Sequence, residues 1–585
     1  MSDFFLSNEL YDYNSLKYFS DEIFGDIYTN DTFFQGEWGT LFVTETKYYG
    51  FEPVEDEQYI MAVLGGPVLN FSTNEPKGSN HLTSLILDQW KSGQIKWGED
   101  LSGPFVLVVV NKHTHEHFVY TDLMSFIPVY RCGGVNKQNY SSHVDLIALA
   151  SGEREWLDYV SIADFVLNGI VTYPYTVYSN VFQVPPASEV KARNDKIITT
   201  NYWSPEEEKK NYEKKPAIQE LDQALNNYVL NVLSRGGKVA QFISGGEDSR
   251  LLSSVLRNYN RDAYIFLDQM NREGNLAKKA AQNNNAKFNY YIRSTTHYLD
   301  IMENSSRLAS TSAQYIHAHT YGFHTKCKLE GYESVWGGLC ADALLKGSHI
   351  TLIKGGGRPY IPQIKSKKEN GVKTNLFSEQ IINEINRRRE SHLNQIRSLR
   401  PNSSEEWFEL WPSSMNKNMA NLAVNRRLFP SYEPFLANGV VKVSAKTPQS
   451  LKLNRRFFHS FSKPYLSTTK FLFHSDGRLP YLPWYINIPI SLLVRMKNSM
   501  FKKLGIIRGV QGPWNDKSVL IQTEDFKEQL NKYSLDILEK EYNEVHNIFI
   551  ELLNNNKLKE EQHFNLLQSL YLISFITGLK KEGET

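Results

Sequence analysis

The sequence predicts an α+β, β-rich first domain followed by an α/β domain on a parallel sheet, and three features carry that prediction. Residues 1–205 hold short apolar runs rich in β-branched side chains, such as 59–64 and 105–110. A polar run without apolar periodicity, PEEEKKNYEKKP, then occupies 205–216. Beyond it, apolar runs of strand length alternate with segments of helical spacing, the pattern of parallel strands joined by helices. A chain of 585 residues is also too long for one core.

In the first domain, 105–111 and 117–122 read as a hairpin around the turn 112–116. Segments 177–184, 189–192 and 197–202 read as extended, and 206–216 as a linker. The second domain, 217–524, opens on a helix at 217–233 that Arg235-Gly236-Gly237 stops. There follow a strand at 239–243, a glycine turn, and a helix at about 248–258. A strand at 263–267, a helix at 275–284 and a strand at 287–292 complete the alternation. From about 375 the pattern is mostly helical, and 525–585 reads as an appended helical pair.

Composition narrows the function. The chain is 41% hydrophobic and 22% charged with a formal net charge of +1, so nothing draws it as a whole to nucleic acid or to an anionic membrane. Cys132, Cys327 and Cys340 form no CxxC and no metal spacing, which predicts a reducing, cytoplasmic setting. The N-terminus shows no basic stretch before an apolar run. The late apolar run 570–579 is about half the length of a membrane span and reads as a buried helix.

Ser244-Gly245-Gly246-Glu247-Asp248-Ser249 stands between a strand and a helix, which suits an anion site. The glycines predict a sharp turn presenting backbone N–H groups, and the next helix adds its positive end. Ser244 and Ser249 add hydroxyls. Asp248 would repel phosphate directly but suits Mg²⁺, which bridges carboxylate and phosphate oxygens. The Lys-Ser/Thr ending of a Walker A loop is missing, which disfavours γ-phosphate transfer.

The full string resembles the PP-loop of ATP pyrophosphatases. Val335-Trp336-Gly337-Gly338-Leu339-Cys340-Ala341-Asp342 is similar to the second metal loop of the asparagine synthetase family, with Asp342 on its metal aspartate. Glu433-Pro434-Phe435-Leu436 resembles a Pro-Phe-Leu-Asp segment of that family, with Ala437 in place of the acid. In the first domain, 100–131 looks like its paired amidotransferase strands, and 181–203 like its Val-Pro-Pro to Tyr-Trp exit. The relatives include asparagine synthetases, β-lactam synthetases and lasso-peptide cyclases. The resemblance implies an Ntn-hydrolase-like amidotransferase domain, then a PP-loop synthetase domain using ATP and Mg²⁺ to adenylate a carboxylate. It places pyrophosphate on Ser244, Gly245, Gly246, Asp248, Ser249 and Gly338, and metal on Asp248 and Asp342. A late cation is implied at Lys470 or Arg478, to offset charge on the acyl transition state.

Several positions depart from the family. Ser2 stands where a glutaminase needs a cysteine after the initiator Met, so an amine carried by the substrate replaces glutamine as the expected nitrogen source. Leu339 stands at a place of Glu or Tyr, Ala343 at a place of Glu, and Cys340 at a place of glycine. Arg250 follows the first loop and is open to two readings, phosphate contact or solvent.

Other features predict no site. His113, His115 and His117 read as solvated turn residues, and His317, His319 and His324 as helix-packing residues. The loop 354–358 is basic but carries no phosphate motif, and the basic runs 365–368 and 387–389 read as solvated surface. The expected reaction is amide formation between a small-molecule or peptide carboxylate and an amine acceptor. No nucleic acid and no membrane takes part, and a homodimer or a biosynthetic partner protein is open. Ammonia-dependent synthesis of a small amide and a non-catalytic scaffold stand as alternatives.

Overall fold

A computed structural model describes residues 3–71, 81–134, 137–193, 196–209, 211–350, 371–504, 517–539 and 558–579. Ser2, the loop 354–358 and the basic run 365–368 lie outside the described residues.

The first domain packs two antiparallel six-stranded sheets face to face. One has Phe4–Ser7 between Asn139–Ser141 and Gly39–Thr44. The other centres on the hairpin Phe105–Asn111 and Glu116–Thr121, flanked by Tyr59–Gly65 and Ser188–Arg193. Alternation along the strand divides the first sheet's side chains between two cores. Phe4, Leu6, Leu41 and Val43 face the second sheet, whereas Phe5 and Phe42 face the helices Tyr13–Phe24 and Val144–Ser151.

The strand period also corrects one expectation. His113 and His115 lie in the hairpin turn, but His117 belongs to the strand and is fully buried. Its Nε2 lies 3.0 Å from the Trp38 carbonyl, and burial lowers its pKa to about 4.

The second domain contains five parallel strands, in the order Lys287–Ile292, Arg261–Leu267, Val239–Phe242, Ser334–Trp336 and Ser431–Tyr432. The helix after the glycine loop runs Glu247–Val255. The next begins at Arg272, earlier than its apolar spacing predicts, because Asn271 caps it through the N–H groups of Glu273 and Gly274. His317, His319 and His324 are divided among separate short turns rather than one helix face, and burial lowers the pKa of each.

Two expectations about the later chain change. The helix Glu560–Gly578 does pair with Glu524–Glu539, but it is no appendage: it also packs on the first-domain helix Tyr159–Asn168 and on Met302–Ala309. Gln568 donates to the Ser310 and Ala313 carbonyls at 2.6 and 2.9 Å, and Asn565 to the Val166 carbonyl at 3.2 Å. The run 387–389 is likewise only partly solvated. Arg388 pairs with Asp158 and, at 3.0 Å, with Glu384, and Arg389 lies 3.9 Å from Asp164.

The two domains are joined by buried polar contacts. Asp3 sits at 0% exposure between Arg426 (2.8 Å) and Arg427 (2.7 Å), and also accepts from Tyr28 and Ser142. Tyr48 Oη donates to the Ser431 carbonyl at 2.7 Å and accepts the Ser431 N–H at 3.0 Å. No helix among the described residues is long and apolar enough to cross a membrane.

Candidate active site

Val239–Phe242 and Ser334–Trp336 are parallel neighbours, so their carboxyl ends release two glycine loops side by side. The loops touch: a Cβ on Gly338 would sit 3.5 Å from the Asp248 Cβ. This is the end of an α/β sheet at which ligands bind.

The first loop is braced from within. The Ser244 N–H donates to Ser249 Oγ at 3.0 Å, and the Gly246 N–H to Ser244 Oγ at 3.1 Å. The Gly245 N–H donates to Glu273 Oε1 at 2.6 Å. The amides expected to form an open nest are therefore bonded within the protein. No side chain caps the helix Glu247–Val255, whose N-terminus opens on the loop.

The glycines answer a different need from the one expected. None of Gly245, Gly246, Gly337 and Gly338 has a positive φ. Instead, a Cβ on Gly245 would meet Glu273 Oε2 at 2.8 Å, and one on Gly337 would meet Glu433 Oε1 at 2.1 Å. A buried glutamate presses against each loop, and only glycine leaves it room. The left-handed position is Cys340, at φ 64°, a conformation that suits the glycine implied there by the resemblance.

Asp248 and Asp342 converge, and what they converge on is Lys346. Its ammonium lies 2.9 Å from Asp342 Oδ1 and 3.3 Å from Glu247 Oε1, and contacts Asp248 Oδ1. The side chain is 4% exposed and its Nζ stands 4.5 Å from the Phe458 ring centre. Burial raises the Asp248 pKa to about 6 against the pull of Lys346. Burial also opposes ionisation of Asp342, but Lys346 outweighs it and holds that carboxyl below its ordinary value.

The two candidate cations separate. Arg478 lies in the turn 474–478, with Nε 2.7 Å from Asp476 Oδ2, and its charge favours ionisation of both Asp248 and Asp342. Lys470 is exposed, with its ammonium 4.9 Å from the Phe471 ring centre. Arg250 fits neither of its two readings. It is buried, donating to the Leu472 carbonyl at 2.9 Å and to the Gly245 carbonyl at 2.7 Å, and so ties the first loop to the Arg478 segment.

Three residues of the site escape the sequence, Lys346, Arg455 and Glu273, and Glu433 is legible there only as the start of a family segment, without its role under the second loop. Arg455 pairs with Glu247 from a left-handed position, φ 57°, directly after Asn454 at φ 54°. Consecutive left-handed residues that are not glycine store backbone strain, which the fold holds here beside the carboxylates. Lys346 had a local signal, since it stands four residues after Asp342 on one helix face.

Residues 53–203 match the model of a glutamine amidotransferase domain. The chain is 22% identical over 229 residues to asparagine synthetase [glutamine-hydrolyzing] 1 of Bacillus subtilis (strain 168), covering 38% of this chain and 36% of that protein. It is 23% identical over 228 residues to putative asparagine synthetase [glutamine-hydrolyzing] 2 of Methanocaldococcus jannaschii, covering 37% and 44%. The chain is asparagine synthetase-like. These matches span between about a third and under half of the relatives' length. Among solved structures, the glutamine phosphoribosylpyrophosphate amidotransferase of B. subtilis, complexed with ADP and GMP, is 7% identical at a TM-score of 0.22. It covers 50% of this chain and 90% of its own, a likeness too slight to build on. In this asparagine synthetase-like chain the amidotransferase match starts at residue 53, after the N-terminal strand and helix.

Proposed function

We propose that this chain is an ATP-dependent, amide-forming ligase with a PP-loop, which adenylates a substrate carboxylate, releases pyrophosphate and passes the acyl group to an amine as AMP leaves. The observation that carries the reading is the convergence of Asp248 and Asp342, from two adjacent glycine loops, on one point. Both donors are hard carboxylate oxygens and one opens to solvent, Asp342 being 63% exposed, which fits Mg²⁺ in its chemistry. Magnesium bound there would supply charge neutralisation at the α- and β-phosphates.

The protein's own groups do the rest. The uncapped helix Glu247–Val255 offers its positive end to pyrophosphate, and the Ser244 and Ser249 hydroxyls lie at the same mouth. Gly338 carries no side chain where it passes Asp248, so the two loops approach closely there. The substrate carboxylate attacks the α-phosphorus, the bond to the β-phosphate oxygen breaks, and pyrophosphate carries that electron pair away. Arg478 offsets the charge that builds on phosphate and then on the tetrahedral adduct. Leu339 can accept no proton, so the amine arrives neutral or loses its proton to another group.

The relatives' names specify glutamine hydrolysis. Here Ser2 stands at the place where the resemblance implies a glutaminase cysteine, and the adjacent Asp3 is committed to Arg426 and Arg427. Those features favour a small-molecule or peptide substrate that brings its own amine. The test is pyrophosphate release from ATP across a panel of carboxylates. Activity that disappears in Asp248→Asn supports the ligase, and its absence with every carboxylate and amine, with no Mg-ATP binding, leaves the scaffold alternative.

A further inference from the structure

We propose that Lys346 is a built-in cation occupying the divalent-ion position between Asp248 and Asp342, so that the free protein binds no divalent ion there. The inference rests on the reading of those two aspartates as metal carboxylates.

The ammonium has three N–H donors, and three carboxylates surround it: Asp342 at 2.9 Å, Glu247 at 3.3 Å and Asp248 in contact. The face of Phe458 closes a further side at 4.5 Å. This is a built cation site, filled by the chain itself. Oδ1 of Asp248 and Oδ1 of Asp342 both face the ammonium, so a magnesium ion held between these carboxylates would compete with it for the same place.

The arrangement is reversible because of the side chain chosen. Lysine carries a compact point charge on a flexible four-carbon stem, so it can leave one anion for another without moving the backbone. Nucleotide phosphates provide that other anion at the mouth of the first loop. Lys346 therefore holds two like-charged carboxylates together before nucleotide binds, which offsets their repulsion and keeps the two loops in register. Arg455 stays with Glu247 when Lys346 moves, so the third carboxylate remains paired.

The test is a Mn²⁺ titration of the full-length protein without nucleotide, read by electron paramagnetic resonance. Wild type is expected to show no tight site. Lys346→Met, which keeps the stem and removes the charge, is expected to gain one site per chain, at least tenfold tighter, and to be stabilised thermally by Mn²⁺. Adding Asp342→Asn should abolish that site. Lys346→Arg, which retains the charge, should exclude Mn²⁺ as wild type does. A tight nucleotide-free site in wild type overturns the proposal even if Lys346→Met does not fold, and so does Lys346→Met without a gain. Failure of the ligase reading is separate: it appears as missing pyrophosphate release and leaves the Mn²⁺ result standing.

Discussion

Glu433 Oε2 accepts the Leu339 N–H at 2.8 Å, and its other oxygen crowds Gly337 from beneath. The second glycine loop thus rests on a buried carboxyl 94 residues away in sequence. Burial raises the Glu433 pKa to about 8, so the group is protonated at neutral pH. Its folded value lies above its unfolded one; the stability it confers is full below about pH 4.5 and is lost as pH rises through about 8. Wild type should lose about 1.4 kcal/mol per pH unit across that window relative to Glu433→Gln. Denaturant titrations of both proteins at several pH values check this, and equal slopes would exclude it.

Asp3 supports the domain junction. Burial opposes its ionisation, and Arg426 and Arg427 overcome that cost, holding the carboxyl well below the usual range. Asp3→Ala would leave two guanidinium groups buried without their partner, a loss of about 3–5 kcal/mol. The denaturant midpoint should fall accordingly. An unchanged midpoint would mean that the pair contributes nothing to the junction.

Arg478 and Lys470 should differ in kinetics. Arg478 faces the carboxylate pair, and Lys470 faces solvent. Arg478→Ala should lower kcat for pyrophosphate release by on the order of a hundredfold, whereas Lys470→Ala should stay within about twofold of wild type. The reverse order would move the catalytic cation to Lys470.

Gln568 ties the last helix into the core. It donates to two carbonyls and accepts the Tyr315 N–H at 3.0 Å, all in buried surroundings. Gln568→Ala leaves those backbone groups unpaired, a destabilisation of about 3 kcal/mol. A chain ending at residue 558 should not fold to a soluble product. Soluble, cooperatively melting truncated protein would show that the helix is dispensable.

Much of the fold is legible in local pattern. Strand 287–292 falls where its apolar run predicts, and the hairpin around 112–116 follows from two apolar runs about a short polar turn. The sequence does not place His117, because a turn and the first residues of the strand beyond it carry the same polar types, and only pairing with Val110 and Ala192 puts it inside. The last helix reads as appended because its apolar run 570–579 records that it is buried, not against what.

The loop Ser244–Ser249 and the second loop ending at Asp342 are set by the sequence itself, because glycine, hydroxyl and carboxylate at fixed spacing between strand and helix mark them as the candidate anion and cation site. The tertiary structure alone decided what stands between the loops. Parallel pairing of Val239–Phe242 with Ser334–Trp336 brings together carboxylates nearly a hundred residues apart, and the repulsion between them is met by the Lys346 ammonium. Glu273 and Glu433 reach the loops from distant segments, and no local pattern encodes such long-range electrostatic contacts.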